Sequence, residues 1–408
     1  MSDKIEGKDE SLWVASTPRT DYPALEDDAT VYDLAIVGGG ITGIAAAHHA
    51  QQRGLKTVLL DKARLAEWTT GGTTAKLASQ HYLIYDHLIR HQGKATAQAF
   101  ADANQRGIDR VESISAELGV DCEFSRRDAY VYSRSRDRLD EMRAEVESAV
   151  SLGLPASFET ETDLPFDIAG AVKFSGQAQF HPRKFLLPLA QHVVDHGGVI
   201  YERTRATSIT PGEPNVVTTE AGDIRARHVL QASGEPFWRR DVFDGFMWLK
   251  MSYALAVQLT EGSSYPESMY VTTDDPMRTM RSATSEGKPV LIFGGESHEY
   301  DDATFDADTR HRALIEDVRQ KFDVDKVLYR WLAGDYMPYD RMPYIGAFPE
   351  HPSIHVITGF RAWGLAWAMS AAEAVVNDVA GAPDDWVRPF SLDRLSTPLP
   401  ESRKVPGF

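Results

Sequence analysis

Gly38, Gly40 and Gly43, with Asp61 18 residues beyond the last of them, form a set able to grip a nucleotide diphosphate and its sugar. At this spacing the first glycine permits a tight turn, the second lets a pyrophosphate approach the backbone, and the third packs a helix against a strand. A helix starting there offers free N–H groups and a partial positive charge to phosphate oxygens. An acid at that remove accepts both hydroxyls of an adenosine ribose. Glycine is common in this chain, 30 in 408 residues, so the bare pattern is weak and its weight comes from the elements around it.

Those elements fall in order. Asp33 to Val37 is a short apolar strand and an Ala-rich helix follows from about Gly43 to Gln52. Gly54 then breaks the chain, and a buried strand from Thr57 to Leu60 delivers Asp61. Strand, turn, helix, strand and acid are the context that makes a dinucleotide site of three glycines. Next comes a run of small and hydroxyl residues, Thr69 to Lys76, which either closes over a bound group or is a plain surface loop.

Length predicts two intertwined domains rather than one core. A net charge of −17 argues against nucleic acid or an anionic membrane as partner. The single cysteine, Cys122, leaves no internal disulfide and no multi-cysteine metal or iron–sulfur site, so no metal is expected. The charged opening MSDKIEGKDE lacks the apolar core of a signal peptide. No uncharged apolar run reaches the ~20 residues that span a bilayer. A cytoplasmic protein is expected.

Residues 1–30 read as a polar, Pro-punctuated arm over the surface, with Trp13 as its anchor or as a surface aromatic. Helices are predicted over 93–118, 136–152, 182–196, 306–322 and 365–379. Strands are predicted over 129–132, 199–201, 215–219 and 223–227, and a buried one over 228–232 runs into small residues. Residues 246–300 are strand-rich and fit an antiparallel sheet around a substrate pocket. Near the C-terminus, Ile354 to Gly359 and Leu365 to Val379 form a second strand–turn–helix unit whose helix start faces a bound polar group.

With GGGITG at Gly38 to Gly43, Asp61, GGTTAK at Gly71 to Lys76, QASG at Gln231 to Gly234 and TGFRAWG at Thr358 to Gly364, the chain resembles the flavin-dependent amine and amino-acid oxidoreductases, the superfamily of glycine oxidase, sarcosine oxidase and D-amino-acid oxidase. The wording TTAKLASQH and SLWVASTPRTDYPALE is similar to a bacterial branch often fused to a C-terminal Rieske domain, which is expected to be absent here. The resemblance implies an α/β fold: a glutathione-reductase-like FAD-binding Rossmann domain (31–90, 171–240 and 340–385) interleaved with an antiparallel-sheet α+β substrate domain (91–170 and 241–339). An arm (1–30) and a tail (386–408) complete the chain. It also implies non-covalent FAD, since neither the Cys nor the His used for covalent attachment stands at the matching places. Gly38, Gly40, Ile41, Thr42 and Gly43 would hold the pyrophosphate, and Asp61 and Lys62 the ribose side. Gly72, Thr73, Thr74 and Ala75 would lie beside the flavin, Thr207 near the adenine, and Ala232, Ser233 and Gly234 along the dinucleotide. Gly359, Trp363, Gly364 and Leu365 would lie by the pyrimidine edge.

The activity so implied is hydride transfer from a C–N bond of a small amine or amino-acid-like substrate to flavin N5, giving an imine. His81, Lys250 and Tyr253 are the candidate catalytic side chains, with Asp335 facing the same pocket. Asp335 stands where many amino-acid oxidases carry a substrate-clamping Arg, which favours a cationic or neutral amine. No Lys stands near Ile292 or Phe293 to activate oxygen. The electron acceptor is expected to be a separate molecule: oxygen, a quinone or a redox protein. A nicotinamide-dependent dehydrogenase and a non-catalytic or electron-relay flavoprotein are the alternatives.

Overall fold

A computed structural model of the chain describes residues 5–301 and 305–396. Residues 1–4 of the expected arm and 397–408 of the expected tail lie outside the described residues.

The apolar runs that are continuous in sequence become a parallel sheet covered on both faces. Val31–Val37 lies at its centre, flanked by Thr57–Leu60 and by Gly222–Gln231, all parallel. Val199–Tyr201 extends one side and His351–Thr358 the other. Tyr344–Phe348 closes the edge antiparallel, and the Ala206–Thr210 and Asn215–Thr219 hairpin folds back on Gly222–Gln231. The fingerprint helix spans Ile41–Gln52, so it begins two residues before Gly43, with Gly40 as N-cap. It packs between Pro182–Asp195 and Gly364–Val379, which explains its alanines: helices this close leave room for little more than a methyl group.

The second sheet has ten strands and is mixed rather than purely antiparallel. Met247–Leu259 runs antiparallel between Lys288–Glu299 and Val324–Pro338, whereas Ser125–Ser133 pairs parallel with Met269–Thr272. Residues alternate faces along a strand. Met251, Tyr253, Leu255 and Val257 turn toward the helix Ala307–Lys321, packing with Leu314, Ile315 and Val318. Ala254 and Ala256 turn the other way and join the large core with Ala75, Leu77 and Trp331.

Several elements differ from the sequence expectation. The stretch 93–118 is the second of two helices, Tyr85–Gln92 and Lys94–Glu117, separated by Gly93 at φ +86°. The strands Gly170–Gln179, Tyr344–Phe348 and Val324–Pro338 are additions. In the last, Tyr329 and Trp331 join the large core whereas Val327, across a register shift, joins the core on the other face, and Asp325, Lys326 and Arg330 interrupt the apolar signal. The N-terminal arm is not a loose cover. Lys8–Asp9 adds to the edge of Val324–Pro338, and Leu12 and Trp13 have no exposed surface.

Candidate functional site

The glycine turn is a cradle defined by missing side chains. A Cβ on Gly38, whose φ is +119°, would lie 2.4 Å from the Ala232 carbonyl oxygen; one on Gly43 would lie 1.9 Å from that of Gly38. Gly40 caps the helix with no side chain, and the Ile41 N–H donates to Thr70 Oγ at 3.1 Å. A neutral acceptor thus sits at the helix start where a phosphate oxygen would accept more strongly. Thr70 carried no distinctive sequence signal. Gly38, Gly40, Gly72, Thr73 and Thr74 keep part of their surface open, while Ile41, Thr42 and Gly43 are buried beneath them. The turn, the helix start and these accessible positions fit a long dinucleotide.

Asp61 is buried, and its two oxygens accept the Gly39 and Ala63 N–H groups, each at 2.7 Å. Burial raises its pKa against those bonds. Each oxygen retains a lone pair for a ribose hydroxyl. Lys62 is exposed and lies over the Trp68 ring at 4.2 Å. Thr207 is exposed, with its hydroxyl bonded to Thr218 O across the hairpin; it is Thr204 whose N–H reaches Asp61 O. Ala232 is buried beside Gly38, Ser233 and Gly234 are exposed at the rim, and Thr358 Oγ donates to Gly234 O at 2.5 Å, tying the rim to the second turn.

The loop after Asp61 is held by its carbonyls. Arg183, fully buried, donates to Leu65 O at 2.7 Å and Ala66 O at 3.2 Å, and also to Pro18 O and Thr17 Oγ in the arm. Trp13 Nε1 donates to Thr73 O at 2.6 Å, and Arg281 Nε to Thr74 O at 2.7 Å while its guanidinium lies over the Trp13 ring. Trp331 Nε1 donates to Gly72 O. Trp13→Phe keeps an aromatic ring but removes the N–H. One neutral hydrogen bond is worth ~1 kcal/mol, so flavin should dissociate about fivefold more readily, measured by fluorescence of the released cofactor.

The second turn is strained. Gly359 has φ +78° with Pro338 Cγ 2.5 Å from where its Cβ would stand, and Arg361 and Ala362 are both left-handed at +56° and +66°. Two left-handed non-glycine residues persist only where neighbours enforce them. Here Asp335 accepts the Ala362 N–H, and the Arg361 N–H donates to Tyr336 O at 3.3 Å. Gly364 opens the helix against Phe360, and Leu365 is buried behind it. Trp363 spans from this turn to the second sheet: His81 stacks on its ring, centroids 5.2 Å apart, and Lys76 Nζ lies 5.4 Å from its centre.

The candidate catalytic residues separate. Lys250 is buried directly opposite Asp335, which keeps slight exposure. Burial pushes Asp335 up to about 7 and Lys250 down to about 7, each charge opposing the other's shift. His81 is buried with Nε2–H donated to Ala78 O at 3.1 Å, and burial lowers its pKa to about 3. A ring so weakly basic is poorly suited to deprotonate an ammonium ion. Tyr253 faces the core behind the sheet, opposite to Lys250, with its hydroxyl 3.1 Å from His298 Nε2 and its ring against His311. Strand parity alone forces that separation. Lys76, Arg281 and Arg183 were missed, because buried cations have no sequence signature apart from their neighbours.

A family model described as FAD dependent oxidoreductase matches residues 33–377. The Rieske 2Fe-2S iron–sulfur protein YhfW of Bacillus subtilis (strain 168) is 34% identical over 389 residues, which are 95% of this chain and 76% of that one. Gamma-glutamylputrescine oxidoreductase of Escherichia coli (strain K12) is 21% identical across 93% of this chain and 91% of its own. The crystal structure of glycine oxidase from Geobacillus kaustophilus superposes with a TM-score of 0.75 at 18% identity, covering 88% of this chain and 98% of that one.

Proposed function

The chain belongs to the FAD-dependent oxidoreductase family, an enzyme of amino-acid or amine oxidase type with FAD as its cofactor, and from that premise we propose that it takes hydride from the carbon beside nitrogen in a small amine or amino-acid-like substrate, leaving an imine for water to hydrolyse. The observation that carries this reading is the pair of turns, Gly38 to Gly43 and Gly359 to Gly364, where missing side chains let backbone segments close on one another beside a helix start; a dinucleotide groove would run between them toward the inner face of the second sheet. Gly38, Gly40, Ile41, Thr42 and Gly43 would hold the diphosphate, and Asp61 the ribose. Lys62, Ala232, Ser233 and Gly234 would line the groove, with Thr207 toward the adenine. Gly72 to Ala75 and Gly359, Trp363, Gly364 and Leu365 would flank the flavin. When bound, FAD supplies the two-electron acceptor; the protein's share is to orient and desolvate the amine.

The Lys250–Asp335 pair is an acid–base element tied to the second turn, since Asp335 accepts the Ala362 N–H. With both groups drawn toward neutrality, Lys250 can take a proton from an arriving ammonium or Asp335 can pair with it. The reduced cofactor would pass electrons to a separate acceptor. A one-electron iron–sulfur protein is favoured by the name of the Bacillus subtilis relative.

Anaerobic mixing of the flavin-loaded enzyme with amines, N-methyl amino acids and D-amino acids tests the reading. Bleaching of the flavin absorbance by at least one amine is expected. A yellow protein indifferent to all of them would leave only an electron-relay role, and a colourless one would remove the reading altogether.

A further inference from the structure

Two buried cations flank the flavin loop without a carboxylate. Lys76 is 9% exposed and its Nζ has two neutral partners, Tyr270 O at 3.1 Å and the Thr279 hydroxyl. Arg281, 2% exposed, holds only carbonyls and the Trp13 face. Among the described residues neither forms an ion pair with an acid, whereas Arg278, similarly buried in the same sheet, pairs with Glu296 and with Asp317 of the helix Ala307–Lys321. A buried charge left uncompensated is costly, and a negative partner that arrives later would offset that cost. Arg281 has its donors committed and serves the loop. Lys76 has one donor to spare: it directly follows Thr73 to Ala75 in the chain, and its ammonium, held by Tyr270 O and the Thr279 hydroxyl, lies 5.4 Å from the centre of the Trp363 ring, so it links the two segments assigned to the flavin ring.

Resting on that assignment, we propose that the Lys76 ammonium is the built-in counter-charge to the flavin ring, favouring its reduced, anionic form and so setting the potential at which this enzyme accepts and passes electrons. A cation in a dry site acts strongly on charge that develops nearby, because no water screens it. Lys76 is thus a tuning residue rather than a catalytic one. Burial, and the Arg281 cation nearby, draw its pKa down to about 7, and negative charge on a reduced ring would oppose both.

The midpoint potential of flavin-loaded Lys76→Met, Lys76→Arg and unmodified enzyme, each equilibrated with reference dyes, tests this. In Lys76→Met the preference for reduced over oxidised flavin should fall at least tenfold, about 30 mV for a two-electron couple. Lys76→Arg, which keeps the charge, should restore most of it. Should Lys76→Met not fold, Lys76→Gln, which retains donors toward Tyr270 O and Thr279, carries the same expectation. A flavin-bound Met or Gln variant with an unchanged potential overturns the proposal, and so does one in which only the KM for an anionic substrate rises. Unmodified enzyme that binds no flavin defeats the premise instead.

Discussion

Gly43→Ala should yield a chain that purifies without flavin. The added methyl would stand 1.9 Å from Gly38 O and 3.3 Å from Ile36 Cγ2, both in the central strand and its turn. Neither neighbour is the loose end of a flexible side chain, so relief requires the helix Ile41–Gln52 to move off the sheet. Overpacking of this kind costs ~1–3 kcal/mol, occasionally more. The same displacement turns the helix start away from the diphosphate, and a loss of that size corresponds to roughly a hundredfold in affinity. The ratio of flavin absorbance to protein absorbance measures it directly. Gly54→Ala is the control: its Cβ would meet nothing within 4 Å, although φ is +72°. It should keep its flavin and lose only ~1–2 kcal/mol of stability to left-handed strain. Flavin retained in Gly43→Ala at the unmodified ratio would show that helix and strand do not need this contact.

The contrast between those glycines explains what the sequence disclosed. Local signals were legible: the strand before the glycines, the helix after them and Thr57–Leu60 follow one another within thirty residues, and a parallel strand buried on both faces announces itself as an apolar run. Long-range features were not. Val324–Pro338 is held by Met247–Leu259, and charges on its open positions mask its alternation. Lys250 and Tyr253 are both pocket candidates in the sequence, yet their odd spacing in one strand places them on opposite faces. That Asp335 faces Lys250 and restrains a left-handed turn was not legible, since both partners come from other segments. Trp13 stayed ambiguous for the same reason, because its acceptor, Thr73 O, is 60 residues away.

Arg183→Met should have the second largest effect, and it should fall on stability and on flavin together. Arg183 is wholly buried, and its guanidinium joins three segments distant in sequence: the arm through Thr17 and Pro18, the loop after Asp61 through Leu65 and Ala66, and its own helix. Methionine fills similar space but donates nothing, leaving the buried carbonyls of Leu65 and Ala66 unpaired and the arm's Pro18 O without its donor. Unsatisfied buried acceptors cost ~1–3 kcal/mol each, and partial relaxation of the arm leaves a net loss of about 3 kcal/mol. Melting should shift down by roughly 5 °C, given the few degrees per kcal/mol of large domains. Lysine should not rescue it, since a point charge cannot serve four acceptors held in a planar fork. Flavin should also leave faster, because Leu65 lies against Gly39 and Asp61 at the start of the same loop. A variant that melts lower but holds flavin as tightly would separate the arm from the cofactor site. Loss of both together is what the arm's contacts predict, for Trp13 and Arg183 hold carbonyls of the same loop that the proposed cofactor site uses.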